Sequence, residues 1–164
     1  MSVIFGLAEK LGQLLLQRKL RCAVAESCTG GSLAATITDV AGSSQWFDRG
    51  FVTYTNEAKE EVLAVSADMI AREGAVSEAT VCAMAEGTIA CSHAKVSAAI
   101  SGIAGPGGGT PKKPVGTVWI AWAGNLQPTH AQCYFFEGDR AAIRQQAVQA
   151  ALEGLIERCE YHLT

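Results

Sequence analysis

The sequence lacks the features that mark several large protein classes. No block of Lys or Arg occurs among its 164 residues, and the formal net charge is −3 with a pI of about 5.6. The phosphate-neutralising surface that duplex nucleic acid demands is therefore missing, and no nucleic-acid partner is expected. No apolar run approaches the roughly 18 residues of a membrane span. The opening "MSVIFGLAEKLGQLLLQRKL" places Glu9, Lys10 and Gln13 inside its apolar pattern, so it has no secretory-type apolar core. No two of the six cysteines, Cys22, Cys28, Cys82, Cys91, Cys133 and Cys159, form a C-x-x-C pair. An even count permits disulfides in principle. However, a chain of this size needs no staples, and most of these thiols lie in apolar or helical stretches where cysteine acts as a small hydrophobe. A reducing cytoplasm is the expected location. His93, His130 and His162 are scattered, so no metal site is implied.

What remains is an ordinary globular composition, 49% apolar and 18% charged, in a length that suits one domain with a real core. Apolar residues Ile4, Leu7, Ala8, Leu11, Leu14 and Leu15 recur at helical spacing and predict a first helix over 3–19. "CAVA" (22–25) reads as a short buried strand, 30–38 as a helix, and "GSSQWF" (42–47) as a turn leading into a short helical piece. "GFVTYT" (50–55) is β-branched and aromatic, hence a strand. Asn56, Ser66 and Ser77 are placed to cap helices through Val65, Arg72 and about Ser92. "VSAAISG" (96–102) is the next strand, followed by a glycine/proline loop over 103–114. "VGTVWIAWA" (115–123) and "HAQCYFFE" (130–137) suggest a hairpin around "GNLQPT", and a last helix runs from about Asp139 to Arg158. Separated strands that need crossovers, plus one antiparallel pair, predict a single α/β domain: a mixed β-sheet with helices on both faces, in three α/β/α layers. Trp46, Trp119 and Trp122 read most simply as core or interface residues.

Four stretches carry candidate chemistry. In "AESCTGGSLAA" (25–35) a strand ends beside Glu26 and Ser27, and a helix is expected from near Thr29. Ligands in α/β proteins sit at such strand ends, and unpaired helix N–H groups suit a phosphate or a developing oxyanion. Plain capping by Ser27 or Thr29, with Gly30 and Gly31 serving only the turn, is the alternative. The stretch is not a G-x-S-x-G elbow, because Ala25 stands at the first glycine position. In "TYTNEAK" (53–59), Tyr54 and Thr55 end a strand and Lys59 falls in the first helical turn, where it opposes the helix dipole. That suits a functional lysine, although a solvated surface lysine satisfies the spacing too. In "SGIAGPGGG" (101–109), Ser101, Gly102 and Gly105 open a loop that can cradle an anion or merely connect, and it has no Walker lysine or G-x-G-x-x-G. In "EGDRAAIR" (137–144), Asp139 is a plausible N-cap, and Arg140 and Arg144 share a helix face that suits a phosphate or carboxylate, or simply faces water.

Taken in order, "AESCTGG", "GFVTYTNEAK", "GAVSE", "SGIAGPGGG…KPVGTVW" and "GDR" resemble the C-terminal domain family of the competence/damage-inducible protein CinA, over about residues 5–158. Stand-alone bacterial members of that family are nicotinamide-nucleotide amidases. Longer members add an N-terminal domain similar to molybdopterin-binding proteins, and the resemblance implies a single amidase domain over 1–164 here, without that half. It implies hydrolysis of the carboxamide of nicotinamide mononucleotide to nicotinate mononucleotide and ammonia, with no cofactor. The family's nucleophile falls on Ser27, its lysine and tyrosine on Lys59 and Tyr54, and the arginine of its "GDR" motif on Arg140. It also implies a homodimer or other homo-oligomer, for which Trp46, Phe47, Trp119 and Trp122 offer aromatic surface.

The residues permit a mechanism of that kind. An amide needs an activated nucleophile and a stabilised oxyanion. No candidate motif contains a histidine, so a neutral lysine is the economical base: Lys59 for Ser27, with Tyr54 relaying the proton or orienting the lysine. N–H groups around Cys28 to Gly30 are the oxyanion-hole candidates, with Thr29 and Gly31 completing the turn. Arg140, Arg144 and the 101–109 loop are the candidates for holding phosphate and ribose. Two other readings stay open: a silent nucleotide-binding paralogue, and a cysteine hydrolase using Cys28.

Overall fold

A computed structural model describes residues 2–161; His162 lies outside the described residues. Along the chain the elements are α1 (Val3–Arg18), β1 (Cys22–Glu26), α2 (Ser32–Thr38), a 3-10 turn (Ser43–Gln45), β2 (Phe47–Val52), α3 (Asn56–Leu63), α4 (Ala67–Glu73), α5 (Glu78–Ala90), β3 (Val96–Gly102), β4 (Thr117–Gly124), β5 (Gln127–Phe135) and α6 (Arg140–Glu160). The strands form one sheet in the order β2-β1-β3-β4-β5. β1 runs parallel to both β2 and β3, while β4 runs antiparallel to both of its neighbours, β3 and β5. The expected mixed sheet between two helical layers is what forms.

The two faces of the sheet differ in side-chain size. Val24, Val96, Ile100, Val118, Ile120 and Trp122 face α1, α2 and α6, and the Trp122 indole N–H donates to the Ala151 carbonyl at 3.0 Å. Ala25, Ala99, Ala121 and Ala123 face the α3–α5 layer, where Leu63, Ile70, Val81 and Met84 complete the core. Each large aliphatic side chain buried here contributes about 1.5–3 kcal/mol. Trp46 and Trp122 belong to the first core, 2% and 4% exposed, so neither is available to a subunit contact; Phe47 packs against the same core, and Trp119 is half-buried.

Several expected boundaries move for identifiable reasons. β2 covers Phe47–Val52 and not 50–55, because its pairing ends where β1 ends, with Val52 opposite Glu26. Thr55 caps α3 through its hydroxyl, which accepts from the Ala58 N–H at 3.1 Å, so Asn56 is the first helical residue and not the cap. α2 begins at Ser32 because Gly30 and Gly31 take left-handed φ values of 59° and 105°, which no helix contains. The hairpin loop is only Asn125-Leu126, both at positive φ, so β5 starts at Gln127. Ser66, Ser77 and Asp139 cap α4, α5 and α6 as expected.

Candidate active site

The three parallel strands reach one edge, where Glu26 lies level with Val52 and Ile100 and β3 runs on to Gly102, and the candidate stretches leave from that edge. β4 and β5 bring the chain back beside it, pairing Thr117 with Phe135, and α6 begins a few residues later.

The stretch after β1 is a tight turn. The Ser27 N–H continues the sheet by donating to the Ile100 carbonyl at 3.0 Å, and the Gly30 N–H closes the turn onto the Ser27 carbonyl at 3.0 Å. Neither Ser27 nor Thr29 caps α2. Glu26 does so from the end of the strand: its carboxylate, 1% exposed, accepts from the Leu33 and Ala34 N–H groups at 2.8 and 3.0 Å. A buried carboxylate is tolerable here because two unpaired helix donors and the positive end of the helix meet it. Sequence reasoning left Glu26 without a role. The signal that could have found it is an acidic residue ending an otherwise wholly apolar strand, six positions before a helix with no side-chain cap of its own.

Lys59 is the structure's main departure from the ordinary reading of spacing. It is 1% exposed, and its Nζ lies 3.1 Å from Ser27 Oγ while donating to the Thr53 carbonyl at 2.9 Å and the Tyr54 carbonyl at 3.1 Å. Among the described residues no carboxylate lies within ion-pair distance of it. Burial lowers its pKa below the ordinary 10.5, and only the nearby Cys28 thiol acts in the opposite sense. The Ser27 hydroxyl, 8% exposed, donates to the Tyr54 carbonyl at 3.3 Å. Tyr54 therefore orients the lysine through its backbone. Its phenol, on a side chain that is 56% exposed, accepts from Arg140 at 3.2 Å.

Arg140 joins three of the four stretches, since it also donates to the Gly105 carbonyl at 2.8 Å. Gly105 is left-handed at φ 80°, and a Cβ there would collide with Val115. Arg144 points to the turn after β1, where it donates to the Cys28 and Thr29 carbonyls at 3.0 and 3.2 Å. Ser101 and Gly102 are not brought to this cluster. The Ser101 hydroxyl donates to the Ala75 carbonyl at 2.8 Å, and Gly102 packs against Val118. Thr55 spends its hydroxyl on the α3 cap. The Cys28 thiol is buried, which pushes its pKa up to about 11; its own backbone N–H and Arg144 offset only part of this. The Thr29 and Thr53 hydroxyls are buried without a protein hydrogen-bond partner among the described residues. His130 stacks on Trp122 and His93 donates its backbone N–H to Asp48, both away from the cluster.

This arrangement can carry out nucleophilic acyl chemistry. A neutral lysine amine has two hydrogens and one lone pair. In the structure Lys59 Nζ donates to Ser27 Oγ as well as to the two carbonyls, and the Ser27 hydroxyl donates to the Tyr54 carbonyl. Once the amine is neutral, the two carbonyls keep its hydrogens, and the Ser27 hydroxyl turns its proton from the Tyr54 carbonyl to the lone pair.

Comparison with known proteins identifies the family of the chain. A family model described as the CinA C-terminal domain matches residues 5–159. The chain is 49% identical over 156 residues to the nicotinamide-nucleotide amidohydrolase PncC of Escherichia coli (strain K12), covering 94% of this chain and 93% of that protein. It is 52% identical over 143 residues to a CinA-like protein of Akkermansia muciniphila; the match covers 87% of this chain but 34% of that protein, so the chain spans about a third of this relative's length. The crystal structure of competence/damage inducible protein CihA from Agrobacterium tumefaciens is 40% identical and has a TM-score of 0.92, covering 96% of this chain and 99% of that one.

Proposed function

Because the chain belongs to the CinA C-terminal domain family, matched over residues 5–159, we propose that it is a nicotinamide-nucleotide amidohydrolase, like the PncC of Escherichia coli to which it is 49% identical. The reaction is cleavage of the carboxamide of nicotinamide mononucleotide to nicotinate mononucleotide and ammonia. The observation that carries this reading is the buried Lys59 amine 3.1 Å from Ser27 Oγ with no carboxylate partner among the described residues. A lysine kept only for charge or for packing has little reason to occupy that position.

In this mechanism Ser27 Oγ attacks the carboxamide carbon while its proton moves to the neutral Lys59 amine. The tetrahedral intermediate places negative charge on the former carbonyl oxygen. The Gly30 N–H is spent on the Ser27 carbonyl, and the Cys28 N–H, next to the nucleophile and with no backbone partner among the described residues, is assigned as the oxyanion donor. Collapse breaks the C–N bond, Lys59 returns the proton to the leaving nitrogen, and ammonia departs from an ester on Ser27. Lys59 then takes a proton from water, which attacks the ester, and the proton passes to the departing Ser27 oxygen. The Cys28 thiol does not compete as nucleophile: raised to about 11, it stays protonated at neutral pH. Arg140 and Tyr54 at the mouth of the site are assigned to the substrate phosphate and ribose, with the Gly105 carbonyl orienting the arginine. Homo-oligomeric assembly belongs to the same proposal.

The experiment is ammonia release from nicotinamide mononucleotide by the purified chain. Turnover that disappears in Ser27→Ala supports the reading. Tight binding of the mononucleotide without release of ammonia would replace it with a silent nucleotide-binding module.

A further inference from the structure

Arg144 sits one helical turn after Arg140 on α6, but it faces inward and is half-buried. Its Nε donates to the Cys28 carbonyl and its Nη2 to the Thr29 carbonyl, at 3.0 and 3.2 Å. These are the two central residues of the turn that the Gly30 N–H closes onto the Ser27 carbonyl. Both central carbonyls of the nucleophile turn therefore end on one guanidinium. Gly30 permits the approach, since a Cβ there would lie 3.3 Å from the Arg144 nitrogen.

The peptide planes of the turn can be followed one by one. The plane entering Ser27 is held by the Ile100 and Thr53 contacts, the next by the bond from Gly30, and the one leaving Thr29 by Ser32 and Gly30 as well as Arg144. The Cys28–Thr29 plane has Arg144 as its only anchor among the described residues. A peptide unit is rigid and planar, so an anchored carbonyl fixes the backbone on both sides of it. Here that backbone carries Ser27 Oγ on one side and the Cys28 N–H between. Among the described residues Arg144 has no carboxylate within ion-pair distance. A half-buried charge without a counter-ion is an expensive way to brace an ordinary loop.

We infer that Arg144 is a positioning residue for acyl transfer: it holds the turn that carries the Ser27 hydroxyl and the Cys28 N–H in attack geometry, and it does not read the substrate's phosphate. This inference rests on the serine mechanism proposed above. Without the anchor the turn relaxes, and a displacement of about 1 Å at the reacting atoms lowers the rate on the order of 100-fold. The loss belongs in kcat, because the groups assigned to bind the nucleotide stay in place.

The test combines Arg144→Ala and Arg144→Lys with three readouts. The first is labelling of Ser27 by an alkyl fluorophosphonate. In that reaction Ser27 Oγ bonds to phosphorus, fluoride leaves and the proton passes to Lys59, with no nucleotide phosphate involved. The second is kcat and KM for nicotinamide mononucleotide and its riboside, and the third is the thermal unfolding midpoint. In Arg144→Ala, labelling and kcat should each fall about 30–100-fold on both substrates, with KM within about 3-fold and the midpoint close to that of the natural protein. Arg144 also lines a cavity of about 340 Å³ with Phe5, Ser32, Thr36, Asp39 and Gln145, so millimolar guanidinium can enter and should recover part of the lost rate. Arg144→Lys should remain well below the natural protein, because one ammonium cannot span two carbonyls; it decides the matter if the alanine variant does not fold. Natural labelling rates in these variants, or a KM increase confined to the mononucleotide, would overturn the positioning role alone. A natural protein that neither takes the probe nor releases ammonia would remove the serine mechanism, and this role with it.

Discussion

Two glycine loops leave the same end of the sheet, one after β1 and one after β3, and they are built in opposite ways. In the first, residues 27–29 are buried and each peptide plane from Ser27 to Gly30 has an anchor. In the second, residues 106–112 are exposed; Arg140 holds the Gly105 carbonyl at one end, the Thr110–Lys113 turn and the Thr117 hydroxyl on the Pro114 carbonyl tie the other, and the backbone of 106–109 has no hydrogen bond among the described residues. The same residue type serves two purposes. Gly30 lets a backbone pass under a guanidinium, whereas Gly107 has nothing within 4 Å of where its Cβ would stand. Glycine count therefore does not locate chemistry. What locates it is the density of fixed donors and acceptors around the backbone, since preorganised groups carry no reorganisation cost during reaction.

The largest effect should come from the buried side of this comparison. Lys59→Met is expected to lower turnover by about 10³-fold, within the range for losing a general acid–base. It should also raise the thermal midpoint, because it removes a buried amine that has no carboxylate partner. The sign follows from its lowered pKa. Between that value and the ordinary 10.5 the unfolded chain binds more protons than the folded one, so the natural protein gains stability as pH rises through that window. Activity should rise with pH through the same lowered pKa, as the amine loses its proton. Lys59→Arg, which keeps the charge but cannot lose it, should be inactive at every pH. An active arginine variant would reduce Lys59 to a source of charge.

Arg140 stands at the boundary between the two loops and should show an intermediate effect. Arg140→Ala is expected to reduce kcat/KM for the mononucleotide about 10–100-fold, the loss of a charge-assisted hydrogen bond at an exposed position. For the riboside, which has no phosphate, the change should stay within a few-fold. An equal loss on both substrates would mean that Arg140 braces Tyr54 and Gly105 and does not grip the phosphate.

The smallest effects belong to the exposed loop. Gly107→Ala should change neither stability nor kcat/KM by more than about twofold, as expected of an open surface position. Gly105→Ala, two residues away, forces a side chain into left-handed backbone and into Val115; it should lower stability by about 1–3 kcal/mol and disturb Arg140. If the two substitutions behaved alike, the division of this loop into a fixed end and a free middle would be wrong.

Much of this was legible in the sequence because the patterns are local. The caps at Ser66, Ser77 and Asp139, the buried strand at 96–102 and the mixed sheet follow from short-range rules. The order of the motifs pointed to the family that the matched model then showed. What was not legible depends on long-range contact. Spacing alone treats Lys59 as a surface residue, because nothing local says that Thr53, Tyr54 and Ser27 will enclose it. Glu26 was without a role because its partners belong to a helix whose start the glycines displace by two residues. Arg140 and Arg144 look equivalent on one helix face, and only the fold separates them, one at the mouth and one behind the turn. The hairpin loop is shorter than the sequence predicts because positive φ at Leu126 is not expected of a leucine.

The central claim is that Ser27, activated by Lys59, forms a covalent ester during turnover. The most direct measurement is a rapid acid quench of the protein mixed with nicotinamide mononucleotide, followed by mass spectrometry of the peptide that contains Ser27 and Cys28. The account predicts an adduct with the mass of the nicotinate mononucleotide acyl group on Ser27 that rises and then decays with ammonia release, and its complete absence in Ser27→Ala together with turnover. An adduct on Cys28, or ammonia release that persists in Ser27→Ala at a rate within a few-fold of the natural protein, would contradict it.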